Sequence, residues 1–233
     1  FKKGENMKIL NFKLFTFITT LLFSFSIMSV ALPEMPKLPG LGGGSNDSPA
    51  VDLPSAQANL ETTMREALAK LNKAESHFQK ALGNSEAAAA AESRADTLSS
   101  DGDVDLNSTM ESTASARKAG AEAESKAGEL SAEAKQEYAK GLLPYAQGVA
   151  LTAKVSDDAK SWIDAAQGEL KSIRNPMKLN KLRKSLSGGM KIAKAIPDFL
   201  KTLGSSSKGV FSFARSQKMD TSDEESEMPD DIF

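Results

Sequence analysis

The 233-residue sequence predicts an all-α protein, on three observations. Apolar residues recur at helical spacing over long stretches, strand signals are almost absent, and the apolar content of 40% is dominated by alanine with only 6% aromatics. Slender helices suit that composition better than a thick sandwich. The expected architecture is an elongated antiparallel helical bundle with coiled-coil-like packing, preceded by a cleaved N-terminal signal peptide and followed by a disordered C-terminal tail.

The first segment addresses the chain. Met7 to Ala31 has a basic start (Lys8, Lys13), an apolar stretch from Leu14 to Met28 and the small-x-small triplet Ser29-Val30-Ala31, which is the pattern of a cleaved secretory signal. A spanning helix needs about 20 predominantly apolar residues. This stretch is shorter and carries Thr16, Thr19, Thr20, Ser24 and Ser26. The six residues before Met7 are set aside as upstream sequence. The expected location is therefore exported, periplasmic or extracellular, in a bacterial envelope. The chain has no cysteine, which removes disulfides, thiol catalysis, thiolate metal sites and a lipid-modified cysteine.

Residues 32–54 hold most of the prolines and a glycine run (Pro33, Pro36, Pro39, Gly42 to Gly44, Pro49, Pro54) and read as a flexible linker. The glycines lack the Lys-Ser/Thr that completes a phosphate loop. A helical bundle is expected over 55–175. From Ser55, the residues Leu60, Met64, Ala67, Leu71, Ala74, Phe78 and Ala81 step by four and three onto one seam, and Gly83-Asn84 ends the helix. An alanine-rich helix follows from about Glu86 to Leu98.

After a loop over 99–107, Ser108-Thr109-Met110-Glu111 has the form of a capping box, placing a helix start near Thr109. Ala116, Ala119, Ala123, Ala127, Leu130, Ala134 and Tyr138 then keep an eleven-residue period, as in one long helix. Pro144 predicts a kink or a fresh start. Tyr145, Val149, Thr152, Ser156, Ala159, Ile163, Ala166, Leu170 and Ile173 form a second seam that can pair with the first, within one chain or between chains. Asn175-Pro176 opens a basic amphipathic region over 176–218, with Leu179, Leu182, Leu186, Met190, Ala193 and Ile196 on one face. Pro197 reads as the first turn of a short helix ending at Gly204.

Charge is strongly segregated along a chain whose formal total is only −2. Residues 32–170 hold 13 basic and 22 acidic side chains, residues 171–218 hold 12 basic and one acidic, and residues 219–233 hold seven acidic and no basic. Lys181, Lys184, Lys191, Lys194 and Lys201 fall opposite or beside the apolar face of the basic region. Two arrangements produce that pattern: an apolar face docked on the other helices with lysines in solvent, which is preferred, or a helix lying on an anionic membrane. Nucleic acid is not expected, because the chain is read as exported and has no recognition motif. The acidic tail reads as a solubiliser, with masking of the lysine face as the alternative.

Asp101, Asp103, Asp105 and Asn107 alternate as in a calcium loop, so Ca²⁺ is the one metal to consider. Leu106 stands where the loop turn needs glycine, and Ser112 where a bidentate glutamate belongs, so a capped interhelix loop is the better reading and no cofactor is expected. His77 has no partner that spacing identifies, and no catalytic residue is assigned. The expected function is non-enzymatic: a partner-binding or envelope-organising protein, acting on a protein partner or by self-association through its seams, with binding to an anionic membrane through 176–204 as the alternative.

Overall fold

A computed structural model of the chain describes residues 52–100 and 103–229. The signal segment Met7–Ala31, the linker as far as residue 51 and Asp101 lie outside the described residues. Among those described there are six helices and no strand: α1 (Leu53–Ala81), α2 (Ser85–Ser99), α3 (Leu106–Lys126), α4 (Ala132–Ser172), α5 (Pro176–Ser216) and the short α6 (Ser222–Ser226).

α1 is the element that the others surround. It packs against α2, α3, α4 and α5. Its predicted seam is buried throughout, from Leu60 to Ala81. The helix begins two residues earlier than the sequence suggests, so the linker ends before Leu53. Leu53 is buried, Pro54 occupies the first turn where its missing N–H costs nothing, and the Leu53 carbonyl accepts a hydrogen bond from Trp162 Nε1 at 3.1 Å. At the other end Gly83 adopts φ 77°, and the Asn84 N–H reaches back to the Gln79 carbonyl at 2.8 Å. That left-handed cap is the reason glycine stands at 83.

The seam of α4 meets that of α1 in the opposite direction. Ala67 and Leu71 lie against Gly148, Ala74 and Phe78 against Gly141, and Leu53 against Trp162, so rising positions on α1 meet falling positions on α4. The two seams therefore pack together within this chain. α5 runs back along α4: Phe213 rests on Tyr138 with ring centres 5.2 Å apart, Phe211 on Tyr145 at 6.3 Å, and Gly189 lies under Trp162. Phe78, stacked on Tyr138 at 4.4 Å, joins the three helices.

Four local expectations are corrected. The long helix from 109 to 138 is two helices, because Ala127 turns extended (ψ 138°) and Ser131 caps a new start by accepting from the Ala134 N–H. α3 starts at Leu106 with Asp105 as its cap, accepting from the N–H groups of Asn107 and Ser108. That one carboxylate satisfies two free donors, so Ser108 is not needed as the cap. Pro144 and Pro197 lie inside continuous helices rather than at starts. The lost hydrogen bond is tolerated because buried residues on either side of each proline, Leu142 and Tyr145 or Ile196 and Phe199, anchor both halves in the same core. Finally, the acidic tail is not structureless as far as 229. Residues Ser222–Ser226 form α6, which packs against α4, with Met228 buried and an Arg215–Glu225 ion pair holding the segment to the end of α5.

The buried stripe of α3 also differs from the alanine series. It consists of Leu106, Met110, Thr113, Arg117, Gly120 and Glu124, whereas Ala119 is exposed. Two charged residues thus occupy seam positions, facing the acidic and polar side of α1.

Candidate functional site

α5 separates its two faces cleanly. Leu186, Ile192, Ala193, Ile196, Phe199, Leu203, Val210 and Phe211 are buried against neighbouring helices, while all five predicted lysines are exposed. From Leu186 onward the apolar face is thereby used in packing. The structure does not gather the five lysines into one site. Lys191 and Lys194 border a groove of about 600 Å³ between α3 and α5, whose floor is Met110, Ala114, Ala195 and Phe199 and whose rim also carries Glu111 and Asp198. Lys201 borders a second groove of about 740 Å³ between α4 and α5, together with Lys160 and Lys208. Lys181 and Lys184 stand near the start of α5, away from both.

The cations of residues 171–218 make almost no ion pairs. Arg215 is held by Glu225; among the described residues no other lysine or arginine of this segment is paired with a carboxylate. On the acidic part of the chain the opposite holds, with Lys80 on Glu92 at 2.7 Å, Lys140 on Glu137 at 2.7 Å and Lys160 on Asp157 at 3.0 Å. α5 therefore presents uncompensated positive charge over much of its outward face.

A second polar constellation is enclosed. Arg117 on α3 donates from Nη1 to Glu75 on α1 at 2.9 Å and from Nη2 to Glu124 at 2.5 Å, and its guanidinium lies 5.3 Å from the centre of the Phe78 ring. Glu124 also accepts from the Tyr138 hydroxyl at 2.8 Å, and Glu75 from Gln79 at 2.6 Å. Burial opposes the charge on Arg117, but Glu75 and Glu124 outweigh it and hold the guanidinium charged. Burial pushes the Glu75 carboxyl up, against the pull of Arg117. Arg117 Nε is buried without a hydrogen bond, beside a cavity of about 10 Å³ bounded by Glu75, Thr113 and Tyr145. Next to this network Asn72 donates to Thr113 at 2.8 Å and accepts from Arg94 at 2.8 Å. Enclosure suits this cluster to fixing α1, α3 and α4 relative to each other rather than to receiving a ligand. The sequence reading missed it, although the 4-3-4-3-4 spacing from Leu106 to Glu124 was available as a signal.

Asp105 spends its side chain on the α3 cap, Asp103 is exposed, and the Asn107 side-chain oxygen is buried without a partner at the edge of the α3/α5 groove. No group of three histidine or acidic side chains stands ready for a metal among the described residues. His77 Nδ1 lies 2.8 Å from Glu137, whose other oxygen accepts from Lys140. The Lys140 and His77 hydrogen bonds hold the Glu137 carboxyl down at about 2. No described helix is long and apolar enough to cross a membrane. No protein family, curated protein or solved structure matches the chain.

Proposed function

We propose that the chain is an exported, non-enzymatic helical protein that binds an anionic partner through the outward face of α5, with α1 to α5 serving as a coiled-coil-like bundle that presents it. Export rests on the signal pattern of Met7–Ala31. One observation carries the binding face: its apolar side from Leu186 onward is consumed in packing, yet its cations have no carboxylate partners among the described residues apart from Arg215. Unpaired charge of one sign over a surface raises the local concentration of oppositely charged partners and speeds their association.

The test is retention of the full chain on immobilised polyglutamate. Retention should fall steeply with added salt. The variant K191E/K194E/K201E should elute early, whereas K118E/K126E/K154E, which removes the same charge from α3 and α4, should elute close to the parent. Equal behaviour of the two variants would show that only net charge matters and would reject the face.

A further inference from the structure

We propose that the tip of the α4–α5 hairpin is a docking site for an anionic lipid surface, with Met177 entering the interface and the surrounding cations meeting lipid headgroups. The proposal deepens the anionic-partner reading by naming a membrane as the partner of this one part of α5.

The geometry begins where α1 stops accompanying the hairpin. Trp162 meets Leu53 in the first turn of α1, and Gly188 and Gly189 lie against Gln57 in the second. Because α5 runs parallel to α1, the level of Leu53 falls about one turn before Gly189, so residues 163–172 of α4 and 176–184 of α5 continue past the start of α1. At about 1.5 Å per residue that is roughly 15 Å of paired helix. Among the described residues this end of the pair has fewer neighbours to enclose its apolar side chains. Met177 is 83% exposed, and Ile173, Leu179 and Leu182 are only half-buried.

Around this apolar tip the charge is predominantly positive, six cations against Asp164 and Glu169. Lys171, Arg174, Lys178, Lys181, Arg183 and Lys184 are all exposed and none is paired with a described carboxylate. Between residues 165 and 197 the only acidic side chain is Glu169. Lys181 and Lys184 follow Met177 by four and seven positions, so they share its face of the helix. An exposed thioether ringed by long, flexible cations fits the headgroup boundary, where the apolar atom is buried and the lysines reach anionic phosphates. An acidic protein would satisfy the charges but gives no role to an apolar side chain at the apex of the cluster. The contact differs from a helix lying flat, because the apolar face from Leu186 onward is already committed to the core.

The chain has no cysteine, so a single introduced thiol reports its own position. M177C and S205C, both at exposed sites on α5, are each labelled with an environment-sensitive fluorophore in the full chain. They are mixed with phosphatidylcholine vesicles with and without phosphatidylglycerol. The expected result is a blue shift at 177 only with the anionic vesicles, and none at 205. In the M177C background, K178E/K181E/K184E should weaken vesicle binding by at least about 100-fold, since each basic residue near such a surface contributes about fivefold. A silent 177 label, an equal shift with neutral vesicles, or an equal shift at 205 would each overturn the proposal. Loss of the vesicle signal with polyglutamate retention intact would reject the membrane site and leave the broader anionic-partner reading standing.

Discussion

Arg117 and Glu75 meet 2.9 Å apart with side chains only 3% and 4% exposed, joining α3 to the polar side of α1 through a buried charge pair. Removing one member of such a pair leaves the other uncompensated in a low dielectric. Arg117→Leu should therefore lower unfolding free energy by about 3–5 kcal/mol, with Glu75 and Glu124 both stranded. Because desolvation already works against the ions, the triple change Glu75→Leu, Arg117→Met, Glu124→Leu should recover most of that loss. Urea denaturation of the single and triple variants decides the point, and a triple variant as weak as the single would contradict the role of desolvation.

The close approach of α1 and α4 rests on two glycines. A Cβ at Gly141 would fall 2.6 Å from a Phe78 ring carbon and 2.9 Å from the Ala74 carbonyl oxygen, and one at Gly148 would fall 2.7 Å from Leu71. Gly168, further along the same helix, has nothing within 4 Å. Gly141→Ala should cost about 1–3 kcal/mol through overpacking, because a ring and a backbone oxygen must both move. Gly168→Ala should add about 1 kcal/mol through helix propensity. Thermal melts that shift in opposite directions would confirm the assignment, and a stabilised Gly141→Ala would refute it.

The seams of α1 and α4 were legible because they are written in side chains whose burial has a single meaning: Leu60, Met64, Leu71 and Phe78 have no better place than a core. Segregation of charge onto α5 was equally plain, and with it the docked apolar face. The stripe of α3 was not legible in the same way. Arg117 and Glu124 are assigned to solvent by default, and their burial becomes tolerable only through their own pairing together with Glu75 and the Tyr138 hydroxyl from other helices. The prolines at 144 and 197 were read from local sterics alone, whereas core residues on both sides decide that the helices run on. The hairpin tip falls between these cases. Asn175-Pro176 marks its turn, but the exposure of Met177 depends on where α1 begins, which is a tertiary fact.

Glu137 gives the protein a defined acid response. Its carboxyl is lowered to about 2 by hydrogen bonds from Lys140 and then His77. A carboxylate depressed on folding contributes stability that is present above its ordinary value near 4.5 and is lost as pH falls through about 2. The side chain is a quarter exposed, so solvent screening reduces the effect. Glu137→Gln should flatten the dependence of stability on pH between those two values while leaving the slope above neutrality unchanged. Parallel curves for parent and variant in acid would remove Glu137 from the explanation.

At the alkaline end the two tyrosines supply a spectroscopic test. The chain contains only Tyr138 and Tyr145, and both are buried in the aromatic cluster with Phe78, Phe211 and Phe213. Burial pushes Tyr145 up to about 12, and burial followed by the nearby Glu124 carboxylate pushes Tyr138 well above the usual range. A folded chain should therefore show little tyrosinate absorbance at pH values where an exposed tyrosine, with its pKa near 10, is already ionised. Because the raised groups stay protonated only in the folded state, stability is undiminished below about 10 and declines as pH rises from there through about 12. Tyrosinate absorbance should consequently appear together with loss of helical circular dichroism, in one cooperative step. Titration of either tyrosine near 10 with the helices intact would mean that the α1–α4–α5 cluster is open to water, and would contradict the packing described for Phe78 and Tyr138.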